Sequence, residues 1–240
     1  MRDCCRKAVE DFAKRASEEI NRGRPEQAIA KALADAEGPS LTASLFPTLK
    51  GRWAHIDLDA LAAQVRSITR CDHNPFLIPA TMDALVRMAH RLMGAEHSHG
   101  GYLEDRSNLW EGHYHEPGRT VHLGVDFNVP AGTPVHLPAD GILVEHFLDA
   151  DQHGGWGGKL TFQCRGTYLT LAHLRDIPDS VGRQFRRGDP VGKVAEPDSN
   201  GGWYEHLHVQ CSREFDQERD AYSRHYHGIE RDFPNPFEAV

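Results

Sequence analysis

Four pairs of histidines one residue apart stand out in this 240-residue chain, at 97–99, 113–115, 206–208 and 225–227. The third pair lies in the strand-like run EHLHVQ, 205–210. Residues i and i+2 of a strand point to one face, so His206 and His208 share a surface. An apolar core does not readily satisfy two imidazoles, and a strand face carrying both calls for a polar partner. One ring can bind a metal ion while its neighbour faces the metal-bound water. A second half-site stands upstream in TVHLGVDF, 120–127. There His122 and Asp126 are separated by roughly 13 Å on a straight strand, too far to share one ion. Gly124 between them permits a bend that brings both to one point. The β-branched neighbours disfavour a helical i, i+4 pairing instead. Imidazole nitrogen with carboxylate oxygen is a donor set that zinc accepts. His173, in TYLTLAHL, reads by itself as a structural histidine.

Five segments follow one another along the chain: HLGVD at 122–126, PAGTPV with ADGILVE, YLTLAHL at 168–174, GDPVGKV at 188–194 and HLHVQ at 206–210. In that order the chain resembles the lysostaphin-type, LytM-like zinc endopeptidases, a family of peptidoglycan hydrolases. The resemblance spans about residues 119–212 and leaves the first hundred residues uncovered. It implies one zinc ion held by His122, Asp126 and His208, with His173 and His206 as unliganded catalytic histidines. A fourth position then stays open for water, as a hydrolytic zinc site requires. One of the two free histidines takes the proton of that water as general base, and the other helps stabilise the oxyanion. Sequence does not assign which does which. The implied reaction is hydrolysis of peptide bonds, in peptidoglycan cross-links or in other peptides. The family approaches its H-x-H through a short S-T-G-P-like turn, where this chain has NGGWYEHLH. Trp203 and Tyr204 are therefore expected to reshape the cleft and to touch substrate.

The expected fold is α+β: a helical N-terminal region over 1–95, then an all-β antiparallel, sandwich- or barrel-like metallopeptidase domain over 96–240. CRKAVEDFAKRASEEINRG and PEQAIAKALADAEG show helical apolar spacing, as do DLDALAAQVRSITR and ATMDALVRMAHRLMGA. Thr81 is placed to cap the last of these, and His90 on it reads as structural. Beyond residue 120 the runs are short, β-branched and punctuated by Gly, Pro, Asp and Asn, which are strand and turn signals. GAEHSHGG, 94–101, reads as the linker, with His97 and His99 exposed. The 113–115 pair is a candidate for the cleft rim, and the 225–227 pair reads as solvated surface. Trp110 and Trp156 read as partly buried core aromatics beside Gly-rich loops.

Composition narrows the partners. Residues 101–240 carry 13 Lys/Arg against 22 Asp/Glu, an acidic balance opposed to a nucleic-acid groove. No apolar run approaches the roughly 18 residues of a membrane span. MRDCCRKAVEDFAKR has no apolar signal core, so the expectation is a chain made in the cytoplasm, with a specialised export route left open. Cys4, Cys5, Cys71, Cys164 and Cys211 are scattered and odd in number, and read as reduced thiols. The N-terminal helices offer a surface for a protein partner or self-association. Two other classes compete: a non-peptidase metal enzyme, since two histidines and a carboxylate also bind Fe(II), and a peptidase-like binding module without hydrolytic activity.

Overall fold

The computed structural model describes residues 39–68, 74–110, 117–218 and 220–240. The two most N-terminal helical segments, Cys4, Cys5, Cys71 and the 113–115 histidine pair lie outside the described residues.

The helices form where apolar residues repeat at helical intervals. In α2 (Leu58–Ile68) Leu58, Ala62 and Val65 are buried on one stripe. In α3 (Pro79–Met93) the buried stripe is Met82, Leu85, Val86 and Ala89. Gly94, left-handed at φ 59°, closes α3 with its N–H on the His90 and Arg91 carbonyls. Thr81 does not cap this helix: it begins at Pro79, and Thr81 is buried inside the first turn. Proline at the first turn suits a helix start, where no N–H partner is needed. A short helix, α1 (Pro39–Leu45), precedes both; its Leu41 and Leu45 pack into the core of the sheet.

The sheet has ten strands: β1 (Trp53–His55), β2 (His97–Gly100), β4 (Val125–Asn128), β5 (Pro134–His136), β6 (Gly141–Leu148), β7 (Gly158–Cys164), β8 (Thr167–Arg175), β9 (Gln184–Phe185), β10 (Pro190–Val194) and β11 (Leu207–Ser212). Its main path runs β1-β2-β4-β11-β8-β7-β6-β9, with β10 bridging β8 and β5. All pairings are antiparallel except β1 with β2. A separate two-stranded ladder joins β3 (Val121–His122) to β12 (Tyr222–Ser223). Two short helices, α4 (Ile229–Asp232) and α5 (Pro236–Ala239), end the chain. The β-rich expectation holds, and among the described residues the sheet does not close into a barrel. No helix among the described residues is long and apolar enough to cross a membrane. Cys164 and Cys211 are buried free thiols.

The stretch 97–99 is corrected by the structure. It is no exposed linker: β2 is buried throughout and pairs with β1 on one side and β4 on the other. Its histidines pack among rings, His97 at 5.2 Å from Trp53, and His99 at 5.9 Å from Phe127 and 4.8 Å from Phe237. Apolar surroundings disfavour the charged imidazole, and burial pulls His90 and His99 down to about 4. Between that value and the ordinary 6.5 the unfolded chain takes up protons that the folded chain refuses. Stability from these groups is therefore lost as pH falls from 6.5 toward 4. For each histidine the loss is at most about 1.4 kcal/mol per pH unit across that window. The expected result is that His99→Phe loses less melting temperature than wild type between pH 7.5 and 5. Comparing the two cancels shared groups such as Glu104, whose carboxyl burial pushes up to about 7. Parallel pH profiles for the two proteins would contradict the assignment.

Candidate metal centre

Alternation along three neighbouring strands builds the site. Val125 and Phe127 of β4, Leu207, Val209 and Cys211 of β11, and Leu169 and Leu171 of β8 belong to one apolar core. The residues between them, Asp126 and Asn128 on β4 and His208, Gln210 and Ser212 on β11, are polar and still buried. Period-two geometry puts that polar set on the opposite face from the core. Register then decides which polar groups meet, and His208 stands directly across from Asp126.

His122 reaches the same point from a different ladder. Regular pairing stops after His122 and resumes at Val125, so the chain bends through Leu123 and Gly124. A side chain at Gly124 would meet His208 Cε1 and the Val209 carbonyl, both at 2.6 Å. The glycine is needed here for close approach, since its φ lies outside the left-handed region. Gly124→Ala is expected to push the His208 ring out of place and to lower metal occupancy at least tenfold while the β-rich circular dichroism persists. Full metal retention by that variant would show that His208 has room to spare.

Hydrogen bonds fix the ring nitrogens. His122 Nδ1 lies 2.9 Å from the Gly101 carbonyl, so it carries the proton and leaves a lone pair on Nε2. His208 Nε2 lies 3.1 Å from Gln210 Oε1, which puts its proton there and a lone pair on Nδ1. Those two lone-pair nitrogens face each other at 3.0 Å. Asp126 Oδ1 is 3.1 Å from His208 Nδ1 and 3.4 Å from His122 Nε2. Three acceptors thus converge in a site at most 2% exposed, with ligand atoms all within 4.8 Å of one another. Such a triad repels itself unless a cation or a proton sits among the atoms. Protonation is disfavoured: burial first, then the nearby Arg106 guanidinium, pulls His122 down to about 3. Burial opposes charge on Asp126 as well, but the Arg106 guanidinium 2.7 Å from Oδ2 holds the carboxyl below its usual range. Two imidazole nitrogens and one carboxylate oxygen, in neutral and ionised forms respectively, fit a zinc ion.

His206 and His173 stand beside the triad with ring centres 4.3 Å apart. His206 Nδ1–H donates to the Tyr204 carbonyl at 2.8 Å, and His173 Nδ1–H to the Asn200 carbonyl at 2.8 Å. Each is left with an acceptor Nε2, and His206 Nε2 lies 3.9 Å from Asp126 Oδ1. Burial is the main reason that both rings stay neutral, His173 with a pKa well below the ordinary value. His173 owes its position to an irregularity: the β7–β8 register shifts between Gly158 and Leu160, and His173 takes φ +63°. A left-handed non-glycine residue costs backbone energy and is held by its surroundings. Here the His173 N–H bonds to the Trp156 carbonyl and its own carbonyl accepts from Ala195.

A cleft of about 800 Å³ opens over these groups. Trp156 and Trp203 line it together with His122, Asp126, His173, His206 and His208. Trp203 Nε1 donates to the Phe76 carbonyl at 2.8 Å, and Leu77 and Trp110 complete that wall, so residues preceding the β-rich part shape the cleft. Tyr204 lies beneath the cleft rather than along it. Its ring is 2% exposed and stacks on His206 at 4.8 Å, and its hydroxyl donates to Asn128 Oδ1. The buried acceptor on Asn128 draws the hydroxyl inward and away from the cleft. The 225–227 histidines are exposed, as expected. Gly101, Arg106, Asn200 and Gln210, which hold the site residues, were not singled out by motif. Gln210 alone had a local signal, being two residues from His208 on the same strand face.

Residues 120–220 match the model described as Peptidase family M23. Among curated proteins, the DD-carboxypeptidase/endopeptidase Mpg of Neisseria meningitidis serogroup B is 29% identical over 92 residues, covering 38% of this chain and 20% of that protein. The chain thus spans about a fifth of the length of the curated relatives it matches. Among solved structures, a zinc-containing peptidase from Vibrio cholerae is 25% identical, covering 42% of this chain and 30% of that one, with a TM-score of 0.34. The catalytic domain of the antimicrobial peptidase lysostaphin from Staphylococcus simulans is 24% identical, covering 47% and 83%, with a TM-score of 0.35. The bent His122–Asp126 pair and the His206–His208 pair both fall inside the segment, residues 120–220, that is similar to peptidase family M23.

Proposed function

We propose that this chain is a zinc-dependent metallopeptidase that hydrolyses peptide bonds, with peptidoglycan cross-links as the first substrate class. The observation that carries the reading is the convergence of three lone-pair atoms, His122 Nε2, Asp126 Oδ1 and His208 Nδ1, in a buried pocket at the floor of an open cleft. These three atoms would hold the ion. Zinc bound there supplies Lewis acidity, which polarises a carbonyl and lowers the pKa of a water to about 7. His206 and His173 are neutral and present Nε2 acceptors, so either can take a proton from the nucleophile and return it to the leaving amine. Their Nδ1–H bonds to backbone carbonyls keep the rings from turning and stabilise the positive charge that a captured proton brings. Trp156 and Trp203 give the cleft flat apolar walls against which a peptide can lie. The family match and the name of the Mpg relative support a peptide substrate.

Zinc-loaded protein incubated with purified cell-wall fragments and a peptide library, read by mass spectrometry, tests the proposal. The expected products gain one water and carry a new amine and a new carboxyl terminus. A folded, metal-loaded protein that leaves every fragment and peptide intact would instead be a binding module.

A further inference from the structure

Among the described residues the largest fully buried side chain is a cation, Arg106, on the segment just upstream of the residues matched to the family. A guanidinium taken out of water is costly unless it is paired on several sides. Arg106 Nε donates to Glu104 Oε2 at 2.8 Å, and Nη1 donates to the Tyr222 hydroxyl at 3.0 Å. The same Nη1 lies 2.7 Å from Asp126 Oδ2. That oxygen accepts no aligned hydrogen bond from any described group, so the guanidinium charge is what engages it. Asp126 Oδ1, by contrast, faces His208 Nδ1 at 3.1 Å, His122 Nε2 at 3.4 Å and His206 Nε2 at 3.9 Å. The two carboxylate oxygens are thereby divided between two jobs.

We propose that Arg106 is a positioning residue for Asp126: it occupies one carboxylate oxygen and turns the other, alone, toward the histidine pair. The inference rests on reading His122, Asp126 and His208 as the metal centre. Glu104 pairs with the guanidinium at Nε, which leaves Nη1 for Asp126. The same segment seats a second ligand, since the Gly101 carbonyl fixes the His122 tautomer. A side chain at Gly101 would strike Arg106 Nη2 and come within 2.8 Å of His122 Nδ1, so both contacts depend on this glycine. Ligand orientation is thus built partly by residues 101–106, outside the matched segment.

The test compares wild type, Arg106→Lys, Arg106→Met and the pair Glu104→Gln/Arg106→Met, which removes both charges together and strands neither. Zinc affinity is measured by competition with a chromophoric chelator on protein shown to be folded by circular dichroism, and the cobalt-substituted proteins are compared by visible absorption. Orienting groups behind metal ligands are typically worth 10–100-fold in affinity, and that loss is expected for whichever methionine variant folds. Lysine, a point charge without the fork, is expected to restore affinity only in part. The cobalt band should shift in every variant, because Asp126 can then offer both oxygens. Wild-type affinity with an unshifted cobalt band in any folded variant overturns the proposal and leaves Arg106 a structural tie; Arg106→Lys, which keeps the buried charge, supplies this outcome even if the methionine variants do not fold. A wild type that binds no zinc would fail differently, by removing the metal centre itself.

Discussion

His208→Ala is expected to lose bound zinc and peptide hydrolysis together. His208 Nδ1 is the atom nearest both other members of the triad, at 3.0 Å from His122 Nε2 and 3.1 Å from Asp126 Oδ1. Without it, two side chains from β3 and β4 remain, and zinc in proteins is held by at least three. The variant leaves the Gln210 side-chain oxygen short of its donor in a buried site, at about 1–3 kcal/mol for an unsatisfied group. Circular dichroism should therefore show a folded but less stable protein, with metal content near zero by elemental analysis. Stoichiometric zinc in the folded variant would mean that the ion sits elsewhere.

His206→Ala is expected to separate the two properties. Its Nε2 is 3.9 Å from Asp126 Oδ1, beyond the spacing within the triad, and its Nδ1–H is committed to the Tyr204 carbonyl. The variant should keep one zinc per chain while kcat falls about 10²–10⁴-fold, the range for loss of a general acid or base. His173, only 4.3 Å away, should give a loss of similar size, and removing both should cost far less than the product of the two, because groups that act as a unit are not additive. Loss of zinc from His206→Ala would place that ring among the ligands.

Much of this site was legible because its chemistry is local. Period two aligns His206 with His208, and a glycine between His122 and Asp126 marks the bend that unites them. The sheet core was legible for the same reason, since alternating Val, Leu and Phe define one face of β4 and β11. What sequence concealed was set by distant partners. The 97–99 pair lies among glycines, and only pairing with β1 and β4 makes it a buried strand. His173 read as structural because its turn toward the site depends on a register shift against β7 that no local pattern announces. Tyr204 seemed to belong to the cleft until Asn128, 76 positions away, drew its hydroxyl inward. Arg106 gave no signal at all, since its partners Asp126 and Tyr222 come from other elements.

On the proposed mechanism, hydrolysis depends on one zinc ion at the His122–Asp126–His208 centre. Metal-free protein titrated with zinc while peptide-bond cleavage is followed by amine release tests that dependence without intermediaries. No cleavage is expected in the absence of metal, followed by a rise that ends at one zinc per chain. Cleavage by the metal-free protein at the full rate, or full activity restored by Fe(II) and not by zinc, would contradict the mechanism.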